Sequence, residues 1–230
     1  KMLKEAIRQA VSRARCRESD IDLVISTDLL NQCVSSSFAM RSLDLPHLGL
    51  YSACASFVGG LAVAAVALGW LLGYWPLESF RWNWTDAGLG LLATLPPLVI
   101  LYVCLKWPIG PMVRIVSVLD ETVAPMFQRM NLAELAMISL LAGLGEEMLF
   151  RGVIQIAIAE WIGGTSGFWI GLAAASVLFG TVHALTPGYA VYATAIGVYL
   201  GWIWVANGNL LVPIVAHAVY DFLALVYILR

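Results

Sequence analysis

Charged residues are scarce in this chain of 230 residues, of which 12% are charged and 60% hydrophobic. A soluble domain carries about 25% charged residues, so this sequence has too few charges to cover a surface that faces water. The formal net charge of −2 does not indicate a class of partner, and no stripe of basic residues occurs, so nucleic acid is not an expected partner. The composition therefore predicts a polytopic membrane protein whose surroundings are the lipid bilayer.

The sequence also lacks the spacings of a redox or zinc site. Cys16, Cys33, Cys54 and Cys104 form neither a Cys-x-x-Cys pair nor a metal-finger pattern. The metalloprotease motif His-Glu-x-x-His is absent as well. We interpret the cysteines as packing residues or free thiols, and we expect no cofactor and no metal ligand set.

The first long apolar run begins only near Leu48, so we expect no secretory signal. Residues 1–45 are polar and mixed in charge, with apolar residues at helical spacing opposite basic ones. This pattern predicts a cytoplasmic amphipathic tail that rests on an anionic membrane surface or docks to a partner.

Six apolar runs are long enough to cross a bilayer. They cover residues 48–72, 86–105, 132–161, 166–184, 189–206 and 210–229. Residues 112–130, between the second and third runs, have the periodicity of an amphipathic helix at the membrane interface. We predict an all-α polytopic membrane protein with about six transmembrane helices plus amphipathic helices. No internal repeat is present, which argues against an inverted-repeat transporter.

Basic residues indicate the orientation of these helices. They cluster before the first span and between the second and third, and Arg230 ends the sequence, whereas the opposite loops hold only Arg81. Both termini are therefore predicted to be cytoplasmic. The compact chain and short loops are typical of prokaryotic proteins, so we expect a multi-pass protein of a prokaryotic plasma membrane.

Few ionisable residues lie inside the predicted spans. They are Glu146, Glu147, Arg151, His183, His217 and Asp221. One ionised residue at a helix centre costs roughly 2.5–3.5 kcal/mol even on mild insertion scales, so these residues are candidates for a functional site. They occur on three of the last four spans, which predicts that the active region is the C-terminal half.

Helix geometry separates the two glutamates. Glu147 and Arg151 are four residues apart on one face, so Arg151 can hold Glu147 ionised in a buried pair. Glu146 points about 100° away, and we expect the small residues Gly143 and Gly145 to leave room beside it. Glu146 is then the free carboxylate, which is suited to act as a general base.

Two histidines complete the expected site. Phe179 precedes His183 by one turn, which predicts an aromatic ring over the imidazole. His217 and Asp221 are four residues apart on one face of the last span. With Glu146 they supply a carboxylate base, a histidine that shares in activating water, and a His/Asp pair for a developing oxyanion.

These residues, in this order, resemble the CPBP family, which includes CAAX-type prenyl-protein endopeptidases and bacterial relatives linked to bacteriocin processing and immunity (Abi-type). The matching segments are Glu-Glu-Met-Leu-Phe-Arg at 146–151, Phe-x-x-x-His at 179–183 and His-x-x-x-Asp at 217–221. The resemblance covers about residues 139–225. It implies an intramembrane glutamic endopeptidase with an α-helical core.

What the resemblance implies for the chemistry is that Glu146, with His183, activates a water. The water would hydrolyse a peptide bond of a membrane-associated or lipidated protein or peptide. His217 and Asp221 would stabilise the oxyanion, and Glu147 with Arg151 would support the site. CAAX-cleaving members usually carry Asn at the last position, and an ionised Asp has no hydrogen to donate. Asp221 would therefore act protonated or orient His217.

The expected organisation follows from the spans and the resemblance together. Residues 1–45 form the cytoplasmic tail, residues 46–131 two transmembrane helices with an interfacial amphipathic helix, and residues 132–230 a four-helix catalytic core like that of the CPBP family. The expected partners are a peptide or membrane-protein substrate and the bilayer.

Three other functions would use the same residues. A metal-dependent intramembrane peptidase would bind its ion through the carboxylates and imidazoles, although Arg151 would repel a cation. A non-enzymatic scaffold or immunity protein would bind a partner in the same polar cavity and would tolerate Glu146→Gln. A proton-coupled transporter would use the residues as a relay, and would need a pathway open to both sides.

Overall fold

The computed structural model describes residues 47–230, so the prediction for residues 1–45 lies outside the described part of the chain. Between residues 47 and 230 every regular element is a helix, and no strand occurs there. The prediction of an all-α protein is confirmed.

The α-helices are, in chain order, α1 (His47–Leu72), α2 (Trp84–Ala93), α3 (Leu95–Lys106), α4 (Pro111–Val118), α5 (Ala124–Phe127), α6 (Leu132–Leu149), α7 (Ile156–Ile162), α8 (Gly164–Val182), α9 (Pro187–Asn207) and α10 (Leu211–Ile228). Two π-helical turns, Leu119–Val123 and Phe150–Gln155, join α4 to α5 and α6 to α7. Within the described residues, five segments are long and apolar enough to cross a membrane: Gly49–Leu72, Trp84–Lys106, Gly164–Val182, Pro187–Asn207 and Leu211–Ile228. The chain is thus a multi-pass membrane protein.

The remaining predicted span, residues 132–161, corresponds to α6, the π-helical turn after it and α7. Helix α6 holds Glu134, Glu146 and Glu147 within its 18 residues, so its composition is less apolar than that of the five spans above. Glu134 belongs to a capping box: its carboxylate accepts from the Asn131 N–H, and the Asn131 side chain accepts from the Ala133 and Glu134 N–H groups. The start of the helix is therefore fixed by local bonds, and the other two glutamates fall near its end.

Helix α6 packs between α1 and α10, and two glycines bring these helices close together. A Cβ atom on Gly143 would lie 2.8 Å from the backbone nitrogen of Ala218, and one on Gly145 would lie 2.7 Å from the carbonyl oxygen of Val58. The expectation that these glycines leave room beside Glu146 is wrong, because neighbouring backbones occupy the space. The glycines instead allow close helix crossings, as small residues do in membrane bundles.

The loop between α1 and α2 covers the N-terminal end of α10. Asn209 is 1% exposed, and its amide donates to the carbonyl oxygen of Arg81 and to the carboxylate of Asp86, each over 2.7 Å. The Leu210 N–H donates to the carbonyl oxygen of Ser79 over 3.2 Å. These bonds satisfy a buried helix start, and they close the bundle on this side.

The close crossing of α6 and α10 makes a stability prediction. Gly143→Ala adds one methyl group against the Ala218 backbone, so we expect a loss of about 1–3 kcal/mol in the free energy of unfolding. Gly60→Ala is the matched control, because nothing lies within 4 Å of a Cβ at that position. Alanine should be favoured there by roughly 0.5–1 kcal/mol. Thermal unfolding in detergent micelles measures both variants, and equal effects would contradict the packing assignment.

Candidate active site

Glu147 is the central carboxylate of the buried polar cluster. It has no solvent exposure, and its Oε1 atom accepts hydrogen bonds from Arg151 Nη1 and from His217 Nδ1, each over 2.8 Å. Arg151 is 1% exposed, and its Nη2 atom donates to the carbonyl oxygen of Gly197 over 2.8 Å. One carboxylate thus joins α6, the π-helical turn and α10, while Arg151 extends the connection to α9.

Glu146 lies beside this network without belonging to it. The residue is 8% exposed, and its Oε2 atom is buried with no hydrogen-bond partner. His183 Nε2 lies 3.5 Å from this atom, and His217 Nε2 lies 4.0 Å from it. Two adjacent glutamates therefore have different environments. Glu147 accepts two hydrogen bonds at Oε1, although its Oε2 atom has none, whereas Glu146 faces two imidazole nitrogens at distances too long for direct hydrogen bonds.

The hydrogen bonds at Nδ1 determine which nitrogen of each imidazole carries the hydrogen and where the other nitrogen points. His183 Nδ1 lies 2.7 Å from the carbonyl oxygen of Phe179, which can only accept, so Nδ1 carries the hydrogen. His217 Nδ1 likewise donates to the ionised carboxylate of Glu147. Both rings consequently direct Nε2 toward Glu146. This fixed orientation through Nδ1 is the arrangement that a working histidine requires.

Asp221 faces His217 from the side opposite Glu147. Its Oδ2 atom lies 3.4 Å from His217 Nε2, and its side chain is 30% exposed. The bond that orients the His217 ring through Nδ1 comes from Glu147, and Asp221 meets the ring at the nitrogen that points into the site. All six residues singled out in the sequence thus lie in one connected cluster.

Phe179 forms the apolar wall of this cluster. Its ring stacks on the His183 imidazole with a centroid distance of 4.4 Å and an angle of 26° between the planes. The Arg151 Cζ atom lies 4.8 Å from the centroid of the same ring, and the His217 ring meets it edge-on at 5.9 Å. The ring predicted over His183 therefore also shields the guanidinium and the second histidine from water.

Two adjoining cavities open onto the cluster. One, of about 200 Å³, is lined by Glu146, Ser139 and apolar residues of α3, α4 and α10, and the other, of about 150 Å³, is lined by both histidines and Phe179. The lining residues that they share are Tyr189, Tyr192, Tyr220 and Asp221. A water takes up about 30 Å³ in the liquid, so each cavity has room for several waters beside Glu146.

Several of these contacts have no signal in the sequence. Gly197 contributes only a carbonyl oxygen, and any residue has one. The three tyrosines lie on apolar helices where aromatic residues are common, although Tyr220 directly precedes Asp221 in the chain. Among residues 47–230, no group of three or more His, Cys, Asp or Glu side chains has the geometry to hold a metal ion.

Comparison with known families agrees with this geometry. Residues 128–223 match the family model described as type II CAAX prenyl endopeptidase Rce1-like. This part of the chain is similar to the CAAX-type endopeptidases. All six residues of the cluster lie within the matched segment, which begins just before α6 and ends within α10.

Residues 1–70 match a different family model, Stage V sporulation protein AD (SpoVAD). The chain is 33% identical over 64 residues to Stage V sporulation protein AD of Bacillus subtilis, which is 28% of this chain and 19% of that protein. It is also 25% identical over 154 residues to uncharacterized protein YpbD of the same organism, covering 66% of this chain and 71% of that protein. No solved structure is significantly similar to the chain. The chain thus spans about a fifth of the sporulation protein, and the two family matches do not overlap.

The pairing of Glu147 with Arg151 predicts a large difference between the two adjacent glutamates. Glu147→Gln leaves the buried guanidinium without its counter-ion, so we expect a loss of about 3–5 kcal/mol in the free energy of unfolding. Glu146→Gln is the matched control one residue earlier, and it should cost far less because the buried Oε2 atom of Glu146 has no hydrogen bond to lose and meets only the two histidines, at 3.5 and 4.0 Å. Denaturant unfolding in detergent compares the two. Similar losses for both variants would contradict the assignment of Glu147 as the structural carboxylate.

Proposed function

We propose that this protein is an intramembrane glutamic endopeptidase in which Glu146, with His183, activates a water to hydrolyse a peptide bond. The observation that carries the proposal is the buried, unbonded Oε2 atom of Glu146, which faces Nε2 of His183 and of His217. A carboxylate left without a partner in an apolar interior is costly unless it serves a purpose. The family match over residues 128–223 supports a reaction of this class.

In the proposed reaction a water sits beside Glu146 and His183, in contact with both side chains. Glu146 lines the larger cavity and His183 the smaller one, and their Oε2 and Nε2 atoms are 3.5 Å apart, so one water placed beside the pair reaches both groups. Glu146 takes a proton from this water while the oxygen of the water attacks the carbonyl carbon of the scissile bond. The carbonyl oxygen becomes the oxyanion. Glu146 then passes its proton to the amide nitrogen, the C–N bond breaks, and the products are a carboxylic acid and an amine.

His217 would stabilise the oxyanion in this scheme. Because Nδ1 donates to Glu147, only the imidazolium form has a second N–H, at Nε2, that can donate toward the reacting carbonyl. Asp221, 3.4 Å from Nε2, lies beside the same hydrogen, and its own ionised carboxylate offers no donor. The oxyanion role therefore falls on His217, and Asp221 supplies negative charge next to it.

The proposed substrate is a membrane-associated or lipidated protein or peptide. The larger cavity is lined by apolar residues of α3 and α4 as well as by Glu146, which suits an apolar chain segment. The bundle is closed at the N-terminal end of α10 by the loop after α1, so we infer entry from the opposite end. With both termini in the cytoplasm of a prokaryotic cell, that entry would be cytoplasmic, and residues 1–45 would anchor to the membrane or dock to a partner.

The experiment that tests the proposal compares new protein termini in cells that make equal amounts of wild type, Glu146→Gln or Glu78→Gln. We expect cleavages that wild type and Glu78→Gln share and that Glu146→Gln reduces by about 10²–10⁴-fold, the usual contribution of a general base. Glu78 is exposed and lies in the loop after α1, so its variant controls for the loss of one carboxylate.

Two other outcomes would assign a different function. If no termini differ and the host phenotype persists with Glu146→Gln, the protein is a scaffold rather than a peptidase. If cleavage by the purified protein in detergent is abolished by a chelator and restored by a divalent metal ion, the water is activated by a metal and the role of Glu146 as the base is wrong.

A further inference from the structure

The cavities around the candidate site contain carboxylates but no Lys or Arg side chain to balance them. Glu146 lines the larger cavity and Asp221 lines both, whereas no Lys or Arg of the described residues lines either one. Arg151 is 1% exposed, and it already binds Glu147 and the carbonyl oxygen of Gly197. Its charge is directed away from the space where a substrate would lie.

Protonation of the two histidines does not make the cluster of candidate residues positive. Glu146, Glu147 and Asp221 contribute three negative charges, and Arg151 contributes one positive charge. If His183 and His217 were both protonated, the cluster would be neutral, and with either one neutral it is negative. Glu146 lines the larger cavity, so its carboxylate is a second acceptor beside the same space. A cationic group is therefore the complement that the cavity lacks.

Asp221 has the exposure and the position to meet such a group. Its side chain is 30% exposed, and one of its oxygens lies 3.4 Å from His217 Nε2. A carboxylate has about four acceptor sites, so this contact leaves capacity for a second partner. Because Asp221 adjoins the histidine proposed to meet the scissile carbonyl, the partner would be a residue directly beside the scissile bond.

Three tyrosines surround Asp221 where the two cavities meet. The hydroxyls of Tyr192 and Tyr220 are hydrogen-bonded over 2.8 Å, and the ring centroids of Tyr189 and Tyr192 lie 6.2 Å apart. Aromatic faces attract Lys and Arg side chains within about 6 Å, and they also pack against the apolar stems of these residues. The tyrosines thus add an aromatic surface next to the carboxylate.

We propose that Asp221, with these tyrosines, selects substrates that carry a lysine or arginine next to the scissile bond. This inference rests on the proposed peptidase function and names a substrate feature for it. Asp221 acts as a specificity-determining residue, in addition to its contact with His217.

A binding experiment tests the selection without requiring turnover. The Glu146→Gln protein in nanodiscs is titrated with two fluorescent pools of apolar dodecapeptides, identical except for lysine or methionine at one central position. We expect the lysine pool to bind about tenfold more tightly, the effect of one charge-assisted contact. The double variant Glu146→Gln/Asp221→Asn should bind both pools equally, whereas Glu146→Gln/Glu78→Gln should keep the preference.

The result that would overturn the inference is equal binding of the two pools by Glu146→Gln, or a lysine preference that survives Asp221→Asn. If the Asp221→Asn protein does not fold, the wild-type cleavage sites decide instead: enrichment of Lys and Arg next to the cut supports the inference, and its absence overturns it. A lysine preference in a protein that cuts nothing would contradict the peptidase function alone, and cleavage at neutral sites would contradict this inference alone.

Discussion

The structure depends on the ion pair and the hydrogen bonds of one buried carboxylate, that of Glu147. An ionised side chain without solvent exposure is tolerated only when it is paired and hydrogen-bonded, and Glu147 meets both conditions through Arg151 and His217. These two bonds require α6 and α10 to keep one register and one separation. Arg151 extends the same requirement to α9 through the carbonyl oxygen of Gly197. A single charge placed in an apolar bundle thus determines the relative positions of three helices.

The same arrangement explains why Glu146 remains unbonded. Arg151 Nη1 and His217 Nδ1 both donate to Glu147, so neither of these hydrogens reaches Glu146. Neighbouring backbones occupy the space beside Gly143 and Gly145 of α6. The Oε2 atom of Glu146 therefore has no hydrogen-bond donor. Phe179 covers the imidazoles and the guanidinium, which keeps the remaining space small and open mainly to the cavities beside Glu146. Glu147 holds the site together because its partners are fixed, and Glu146 is available for chemistry because nothing donates a hydrogen bond to its buried Oε2 atom.

Much of the fold and of the candidate site could be predicted from the sequence, because the spans and several contacts involve residues close together in the chain. The i to i+4 spacing predicts the pair of Glu147 with Arg151 and the ring of Phe179 over His183, and apolar runs predict the spans. The contact of Glu147 with His217 joins residues 70 positions apart, and no periodicity encodes such a distance. The prediction that Gly143 and Gly145 leave room beside Glu146 is wrong for the same reason, since helical spacing shows that a helix face is small but not which neighbouring backbone lies against it. The π-helical turn at Phe150–Gln155 likewise has no pattern in the sequence.

The two ends of the chain match different families, and this raises the question of which segment contains the candidate site. Residues 1–70 match the sporulation protein family, yet α1, most of which belongs to that segment, packs against α6 and contributes Val58 to the larger cavity. The hydrogen bonds and ion pairs described above for the six candidate residues all run to partners between Glu146 and Asp221. Helix α1 therefore forms part of the wall, and the charged network is contained in the segment that matches the endopeptidase family. If α1 were replaced by another apolar helix with small residues where it contacts α6, all hydrogen bonds and ion pairs of the charged network would remain.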